Sequence, residues 1–383
     1  MKRLLWLIPV ILVSCKKDEC DSSAVTETIS EFDLNFGSIG DDRACHATIT
    51  SLNHILIAGS YQTETNYSNF YLAEIDINGN FIKEKNLGNE FDDDATSVIA
   101  ENEGTFLLGG NTTTASGTKD MLLFKLNAEH EVLWQKTYGG TNNEELNFIL
   151  PVENSGYFLV GLTESFGAGS RDVYLIRIDE NGNELWNKTY GGTNQEGGNH
   201  IVATDDGNYL LFGFTQTFGA GDRDFYLLKI NLQGDVIWTK TYGSPNYEES
   251  QEIVKVESGG YLLFGHSAAF DLNHDMYAVK INEDGDIVWG ETYGGNAHDG
   301  GEGSLQDSDG NFLLLGRSNS FGNGEEAYLV KTNQSGELIS ENNYGSLSDD
   351  AGFHILETPL SYIIIGETKT SGNYQMMVKK IPK

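Results

Sequence analysis

The sequence is poor in basic residues, cysteine and proline, and each shortage narrows what the protein can be. Its 24 lysine and arginine residues stand against 57 aspartate and glutamate residues, which gives a formal charge of −33. Such a chain repels phosphate backbones, so we predict no nucleic-acid partner. The 3 cysteines have no metal-type spacing. Only 5 prolines accompany 45 glycines, 18 tyrosines and 19 phenylalanines, a composition typical of turn-rich β-structure.

Recognisable catalytic motifs are also missing. The chain has no His-Glu-x-x-His zinc motif, no phosphate-binding glycine loop before Lys-Ser or Lys-Thr, and no Gly-x-Ser-x-Gly nucleophile motif. The sequence therefore assigns no catalytic residue, predicts no cofactor, and favours a non-enzymatic role.

The N-terminus has the pattern of an export signal. Lys2 and Arg3 precede the apolar run 4–13, which is too short for a permanent membrane span. The run ends in Leu-Val-Ser-Cys at 12–15, which resembles the lipobox of bacterial lipoproteins. That resemblance implies a signal peptide over 1–14, lipidation of Cys15 and an outer-membrane lipoprotein held to the membrane by its acyl chains.

A polar segment, 15–28, follows as a predicted flexible tether. Within it Lys17, Asp18 and Glu19 resemble the surface-export signal of Bacteroidota lipoproteins, which implies display outside the cell. A plain hydrophilic tether and a domain facing the periplasm are the alternatives. Cys20 lies in the same segment, and an exported location permits a disulfide with Cys45 without requiring one.

An internal repeat organises the rest of the chain. Its period is 51 or 52 residues, and turn signals recur about every ten residues within it. This period predicts one four-stranded propeller blade per repeat, and so an all-β, seven-bladed β-propeller over 29–383. A Tyr-Gly-Gly element or a variant of it marks each repeat, with first glycines at Gly37, Gly88, Gly139, Gly191, Gly243, Gly294 and Gly345.

The two ends of this region predict how the ring closes. The last unit supplies strands A, B and C and stops at Lys383, whereas 29–36 matches strand D of the other units. We predict that this N-terminal strand completes the C-terminal blade, which hides both edges in a monomeric ring. In the fourth unit, strands A to D are predicted near 200–204, 209–216, 225–230 and 236–242.

A glycine also recurs inside strand B of every unit. It predicts a β-bulge or a close backbone approach, which we place where adjacent blades meet. The glycines are Gly59, Gly110, Gly161, Gly213, Gly265, Gly316 and Gly366.

Two resemblances follow from these units. Segment 185–192, Leu-Trp-Asn-Lys-Thr-Tyr-Gly-Gly, resembles the Tyr-Gly-Gly repeats of bacterial and archaeal surface proteins. Segment 179–186 is similar to the tryptophan-docking motif of quinoprotein-like propellers, which implies a tryptophan packed between blades. Quinone binding is not carried over, because the chain has seven repeats and no adjacent cysteine pair. The motif position holds Trp134, Trp186, Trp238 and Trp289, with Lys83 and Ser340 as departures.

The candidate site is a ring of acidic residues, one in each unit, five residues after the repeat glycine. They lie where strand D passes to the next strand A, so we expect them to ring one face of the propeller. Such a ring could bind Ca²⁺ or a cationic partner. Alternatively, each carboxylate could accept backbone N–H groups and fix its loop. The residues are Asp42, Asp93, Glu144, Glu196, Glu248, Asp299 and Asp350.

Three further sets of residues recur at fixed places. His46, His200 and His354 share one offset on strand A; we expect them to line the channel, and, as residues of nonadjacent blades, not to converge on one metal ion. Phe166, Phe218 and Phe321 occupy loop tips, where they could stack on sugars or pack on the blade rim. The starts of strand C are interpreted as structural: Asn69, Asp120, Asp172, Asp224, Asp275, Glu326 and Gln375.

Two classes of function remain, together with a third possibility. The sequence favours a binding or scaffold module displayed on the cell envelope, with a protein or glycan as partner. The alternatives are a propeller hydrolase or lyase acting on glycans, and a periplasm-facing factor for outer-membrane assembly. An asymmetric pocket with perturbed carboxylates would favour the enzyme.

Overall fold

The computed structural model describes residues 9–11, 26–28, 31–64, 67–101, 104–153, 155–268, 273–322, 324–345 and 348–383. The predicted lipidation residue Cys15, the export residues Lys17, Asp18 and Glu19, and Cys20 lie outside these residues. Upstream of residue 31, strands β1 (Pro9–Ile11) and β2 (Thr26–Thr28) pair with each other. In the described part of the chain, no helix is long and apolar enough to cross a bilayer.

Seven four-stranded antiparallel sheets, the blades, make up the rest of the described chain. Blade 1 comprises β4 (Arg43–Ile49), β5 (Ile55–Gln62), β6 (Ser68–Ile75) and β7 (Phe81–Leu87). Blade 2 comprises β8 (Asp93–Ala100), β9 (Phe106–Thr113), β10 (Lys119–Leu126) and β11 (Val132–Tyr138). Blade 3 comprises β12 (Glu144–Val152), β13 (Gly156–Thr163), β14 (Asp172–Ile178) and β15 (Glu184–Tyr190). Blade 4 comprises β16 (Glu196–Ala203), β17 (Tyr209–Thr215), β18 (Asp224–Ile230) and β19 (Val236–Tyr242).

Blade 5 comprises β20 (Glu248–Lys255), β21 (Tyr261–Ser267), β22 (Asp275–Ile281) and β23 (Ile287–Tyr293). Blade 6 comprises β24 (Asp299–Gln306), β25 (Phe312–Ser318), β26 (Glu326–Thr332) and β27 (Leu338–Tyr344). Blade 7 comprises β28 (Asp350–Glu357), β29 (Ser361–Thr370), β30 (Asn373–Pro382) and β3 (Phe32–Phe36). We call the four strands of each blade A to D in this order. The upper face carries the D-to-A corners and B-to-C loops, and the lower face carries the A-to-B and C-to-D turns.

The predicted fold class and ring closure are confirmed. Strand β3 pairs antiparallel with β30, with Phe32 opposite Lys380 and Phe36 opposite Met376. In blade 4 the predicted strands B, C and D match the observed ones to within a residue, but strand A starts at Glu196 instead of near His200. The glycine pair after Glu196 reads as loop in the sequence, yet it pairs with β17.

The strand-B glycines face a bulge that all seven strands A share. The register of each A–B pair shifts by one residue at the same place. In blade 4, Gly213 pairs with Gly198, and a Cβ at Gly213 would overlap the carbonyl oxygen of Gly197. The predicted bulge and close approach are therefore confirmed. The nearest carbonyl belongs to strand A of the same blade, and adjacent blades also meet here, because a Cβ at Gly301 of blade 6 would overlap the Gly265 carbonyl oxygen of blade 5.

The hydrophobic core is divided among the seven seams between blades. Each seam buries one cluster that draws side chains from both flanking blades. Between blades 4 and 5, for example, Leu210 and Phe212 pack with Leu263 and Val279. Strands B and C are apolar on both faces because each blade is covered on both sides by a neighbour.

The docking tryptophans lie on the next blade, as the resemblance implied. Trp186 packs on Gly234 in the C-to-D turn of blade 4, where a Cβ would lie 2.7 Å from the ring. Close by, the Tyr190 hydroxyl donates a 2.7 Å hydrogen bond to the Gly234 carbonyl. Equivalent tyrosine bonds occur at the three other seams that have a tryptophan.

The two departures from this motif have physical causes. Lys83 faces a turn in which His130, at φ 59°, replaces the usual glycine, so the ring-on-glycine contact is not available. The Lys83 ammonium instead bonds the Ala128 carbonyl at 2.8 Å. Ser340 faces blade 7, where strands C and D come from opposite ends of the chain and no C-to-D turn exists to receive a tryptophan.

Candidate functional site: the upper face and the channel mouth

The seven acidic residues lie at the D-to-A corners of the upper face, as expected, and all seven are buried. Glu196 is representative. Its carboxylate accepts hydrogen bonds from the Gly192 N–H at 2.7 Å, the Thr215 hydroxyl at 2.9 Å and the Thr217 N–H at 3.0 Å. These bonds tie the D-to-A corner to the end of strand B. They are the contacts that the loop-fixing interpretation requires.

Most of these carboxylates also have a second acid beside them, at the start of strand C. Glu196 and Asp172 approach Gly191 from two sides, so a Cβ there would clash with both. Burial raises the pKa of Asp172, bonds from the Gly169 N–H oppose the rise, and the nearby Glu196 charge adds to it. Asp224 likewise accepts the Ala220 and Gly221 N–H groups at 3.0 Å. At these corners the strand-C acids close the B-to-C loop.

We predict that Glu196→Gln and Glu248→Gln lower stability by about 1–3 kcal/mol each, because the amide removes the charge that strengthens these hydrogen bonds and, at Glu196, its nitrogen must face a backbone N–H donor. Thermal melts measure this loss. Glu180→Gln, at an exposed turn position, removes the same charge as the control and should leave the melt unchanged. If the ring instead binds Ca²⁺, calorimetric titration should show tight binding, and these substitutions should weaken it. The melting temperatures measured without Ca²⁺ should then be unchanged. Calcium binding stays a prediction.

The bulge in each strand A creates a second feature, which the sequence analysis missed. The extra residue of every bulge points into the central channel, and all seven line one cavity of about 300 Å³ at its mouth. The sequence signal is the position just before the histidine offset, where no residue type recurs in most blades. These bulge residues are Cys45, Thr96, Asn147, Asn199, Gln251, Glu302 and Phe353.

The amide side chains of the mouth are fixed by hydrogen bonds to the neighbouring blade. Asn147 donates to the Gly198 carbonyl at 2.8 Å, and Asn199 donates to the Ser250 carbonyl at 2.6 Å, each in the next blade. Three polar atoms at the mouth are buried without a hydrogen-bond partner among the described residues: Asn199 Oδ1, His200 Nδ1 and Arg317 Nε. Buried polar atoms in native proteins are nearly always bonded. The mouth therefore presents both acceptors and donors that a ligand could use.

Beneath the bulge residues, aromatic rings cross the channel. The ring centroids are 4.2 Å apart for His354 and His46, 6.1 Å for His46 and Phe148, and 3.7 Å for Phe148 and His200. His200 Nε2 then lies 3.8 Å from a Glu252 carboxylate oxygen. The expectation that the three histidines sit on nonadjacent blades is wrong, because ring closure makes blade 7, which carries His354, the neighbour of blade 1, which carries His46.

The stack passes over blade 2, which carries the small residue Ser97 at the same position. Burial lowers the pKa of His200 to about 3 and that of His354 to about 4, and it lowers the pKa of His46 well below its ordinary value. Burial raises the pKa of Glu252 to about 7, although its carboxylate accepts the Ser304 N–H at 2.5 Å. Within the described residues, no group of three or more His, Cys, Asp or Glu side chains is placed to hold a metal ion.

The opposite side of the mouth carries charged pairs. Arg43 Nε lies 2.9 Å from Glu367, and an Arg317 guanidinium nitrogen lies 2.8 Å from Glu302. Cys45 lies among them without a disulfide partner among the described residues, and burial raises the pKa of its thiol to about 12. The mouth is therefore chemically asymmetric, with ion pairs on blades 1, 6 and 7 and amides on blades 3 to 5.

The loop-tip phenylalanines lie away from the mouth, against their own blades. The ring centroid of Phe166 is 5.6 Å from that of Tyr174, and Phe218 lies at the same distance from Tyr226. Phe321 lies 5.2 Å from Tyr328 in the same way. This is packing on the blade rim, and it leaves the outer surfaces of Phe166 and Phe218 about 40% exposed (43% and 42%).

No family model matches this chain, and no curated protein matches it by sequence. Solved structures match it in fold. A puromycin hydrolase mutant complexed with PGG aligns with a TM-score of 0.57 and 11% identity over 90% of this chain, which spans about half, 52%, of that one. Drosophila Plexin A in complex with Semaphorin 1b aligns with a TM-score of 0.53 and 10% identity, covering 91% of this chain and 86% of that one. Such identities establish the β-propeller fold alone.

Proposed function

We propose that this protein is a binding module that recognises a partner through the channel mouth and is displayed on the cell envelope as a lipoprotein. The observation that carries the proposal is the set of buried, unbonded polar atoms at the mouth, on Asn199, His200 and Arg317. A repeat protein needs only repeated residues to hold its blades together. The bulge position instead carries six residue types in seven blades, which is what recognition of one asymmetric ligand requires.

The size and lining of the mouth define the group it takes. A cavity of about 300 Å³ is at the small end of ligand sites and admits one sugar unit or one protein side chain. Amides, a hydroxyl and Arg–Glu pairs can bond a neutral polar group from several directions. The partner is therefore a glycan terminus or a protein loop, and the fold also occurs in a plexin in complex with a semaphorin.

The test is a thermal-shift screen of the protein with monosaccharides and single amino acids as probes. We expect one class to raise the melting temperature, since a ligand that binds only the folded state stabilises it. Thr96→Trp, which fills the mouth, should abolish the shift. Asn181→Trp, at an exposed C-to-D turn of the lower face, is the control and should preserve it. A shift that survives Thr96→Trp, or no shift with any probe, contradicts the proposed mouth.

The cell-envelope address rests on the N-terminal motifs. We expect Cys15→Ala to abolish metabolic labelling with a fatty-acid probe, because the thiol is the acylation site. Protease shaving of intact cells then distinguishes surface display from a periplasm-facing anchor, and replacing Lys17, Asp18 and Glu19 with alanine should reduce shaving if they form the export signal. Normal lipid labelling of Cys15→Ala would contradict the anchor.

Glycan hydrolysis is the second candidate, and one observation favours it. Glu252 and Glu302 line the same cavity, and a carboxyl whose pKa is about 7 is suited to donate a proton at neutral pH. Hydrolysis of an oligosaccharide by the wild type that Glu252→Gln eliminates would establish this activity. Binding of the same sugar without turnover would leave the protein a binding module.

A further inference from the structure

The seam between blades 7 and 1 differs on its outer side from the seam between blades 5 and 6. At this seam, strand D of blade 7 is β3, and the groove between β3 and β7 has a volume of about 960 Å³. The equivalent groove between blades 5 and 6 has a volume of about 410 Å³. We call the larger one the seam groove; its lining includes Phe36, Tyr61, Tyr71, Phe81, Glu84 and Lys85.

Three of its aromatic residues are departures from the repeat. Phe36 stands where Tyr138 and its equivalents donate a hydroxyl to the next turn, and Phe36 has no hydroxyl to donate. Phe81 stands where the other blades carry Val132, Glu184, Val236, Ile287 and Leu338.

Tyr61 is the clearest departure. The other six blades carry Ser or Thr at its position on strand B, and in blades 3 to 5 the hydroxyl bonds the corner carboxylate. In blade 1 the Gln62 N–H takes over that contact with Asp42 at 2.7 Å. The Tyr61 side chain is thus not needed at the corner and lines the seam groove.

The aromatic rings of the groove contact one another and stay accessible. Tyr61 stacks on Tyr71 with centroids 5.5 Å apart, and Phe36 meets Phe81 edge-on at 4.9 Å. Phe81 nevertheless keeps 48% of its surface exposed. Phe36 and Tyr61 pack on the buried cluster beneath them, whereas Phe81 is as exposed as the aliphatic residues at its position in other blades and presents an aromatic face there.

The polar side of the groove is supplied by the outer strand β7. Glu84 accepts the Tyr71 hydroxyl at 2.7 Å, and Lys85 and Asn86 also line the groove. Alternating Lys83, Glu84 and Lys85 discourage addition of a peptide strand to this edge. The net charge of the whole chain disfavours a polyanionic chain.

From these contacts we infer that the seam groove binds a neutral oligosaccharide, whose apolar faces lie on Phe81 and Tyr61 and whose hydroxyls bond Glu84 and Lys85. Exposed aromatic faces beside hydrogen-bonding side chains suit a ligand that is apolar on its ring faces and polar at its edges. The volume accommodates several sugar units. This site is separate from the channel mouth and does not depend on it.

The experiment is calorimetric titration of the full chain with four neutral probes: chitohexaose, maltohexaose, xylohexaose and mannohexaose. We expect at least one to bind with a Kd of about 1 mM or tighter. Phe81→Ala and Tyr61→Thr, the latter restoring the residue of the repeat, should each weaken binding about tenfold, the worth of one aromatic contact. Leu338→Ala, at the equivalent and 52% exposed position of blade 6, is the matched control and should leave binding unchanged.

The outcomes separate ligand binding from ring closure and from the channel mouth. Thermal melts of Phe81→Ala and Tyr61→Thr should stay close to the wild type, and Thr96→Trp at the mouth should bind the hexasaccharide normally. The inference is overturned if none of the four probes binds at concentrations up to about 5 mM. It is equally overturned if binding survives both groove substitutions, or if Thr96→Trp abolishes it.

Discussion

Deleting residues 32–36 from the full chain should lower the free energy of unfolding by about 5 kcal/mol or more and produce aggregates or open oligomers. The deletion removes strand β3, so β30 becomes an unpaired edge. It also removes Phe32, Leu34 and Phe36 from the cluster between blades 7 and 1. At about 1.5 kcal/mol for each apolar side chain, before the lost ladder is counted, the loss approaches the whole stability of an ordinary domain.

Urea unfolding and light scattering after size exclusion measure this effect. Deletion of Thr26–Thr28, in strand β2, shortens the same region without touching a blade and serves as the control. A deletion variant lacking 32–36 that remained monomeric with an unchanged unfolding midpoint would refute the structural role of β3.

Acidification from pH 7 to pH 5 should destabilise the protein through the channel histidines. Burial depresses the pKa values of His46, His200 and His354 in the folded state below the value of 6.5 that applies to an unfolded chain. The unfolded state therefore binds more protons in this window, and stability falls as the pH falls through 6.5. Each histidine contributes a loss of about 2 kcal/mol by pH 5.

Glu252 acts in the opposite direction. Its folded pKa of about 7 lies above the value of 4.5 for an unfolded glutamate, so its protonation stabilises the folded state as the pH falls. It offsets about 2 kcal/mol, and the four groups together predict a net loss of about 4 kcal/mol.

Urea unfolding at the two pH values tests this balance. Phe148 occupies the same position as the histidines in blade 3, so His200→Phe and His354→Phe have a precedent within the ring. Each should reduce the pH-dependent loss by about 2 kcal/mol. Phe148→Leu, in the same stack but without a titrating group, should shift both free energies equally. If the histidine variants keep the full pH dependence, the titration lies elsewhere.

The architecture could be predicted because it depends on repeated residues. A glycine that recurs every 51 or 52 residues specifies seven blades. The C-terminal unit lacks one strand and the N-terminus has one extra strand, which specifies how the ring closes. The positions of the corner carboxylates were also predicted correctly. An acid that follows the repeat glycine at the same distance in every unit occupies the same structural environment in every blade. Their burial was not predicted, because the Thr215 hydroxyl and the Gly192 N–H that enclose Glu196 are remote or inconspicuous in sequence.

The channel mouth was not predicted, for two physical reasons. A β-bulge changes which side chains face inward, and nothing around Asn199 shows in the sequence that strand A carries one extra residue there. The distance between the histidines was judged from their order in the sequence, whereas ring closure makes His46 and His354, on the first and last blades, neighbours. Departures such as Tyr61 become informative only once the partner of the replaced hydroxyl is known.

Pairing of β3 with β30 also sets an order of events in folding. The ion pair between Asp33 and Lys379 joins residues 346 positions apart, so the last contact of the ring has nearly the longest loop that this chain can close. During synthesis, β3 cannot pair until nearly all of the residues that follow it have left the ribosome. In a chain halted before residue 373, β30 is missing, β29 is an open edge and the flank of blade 1 is uncovered, so the chain would accumulate as an unclosed arc. Chaperones that hold such an arc would find their substrate at these two surfaces.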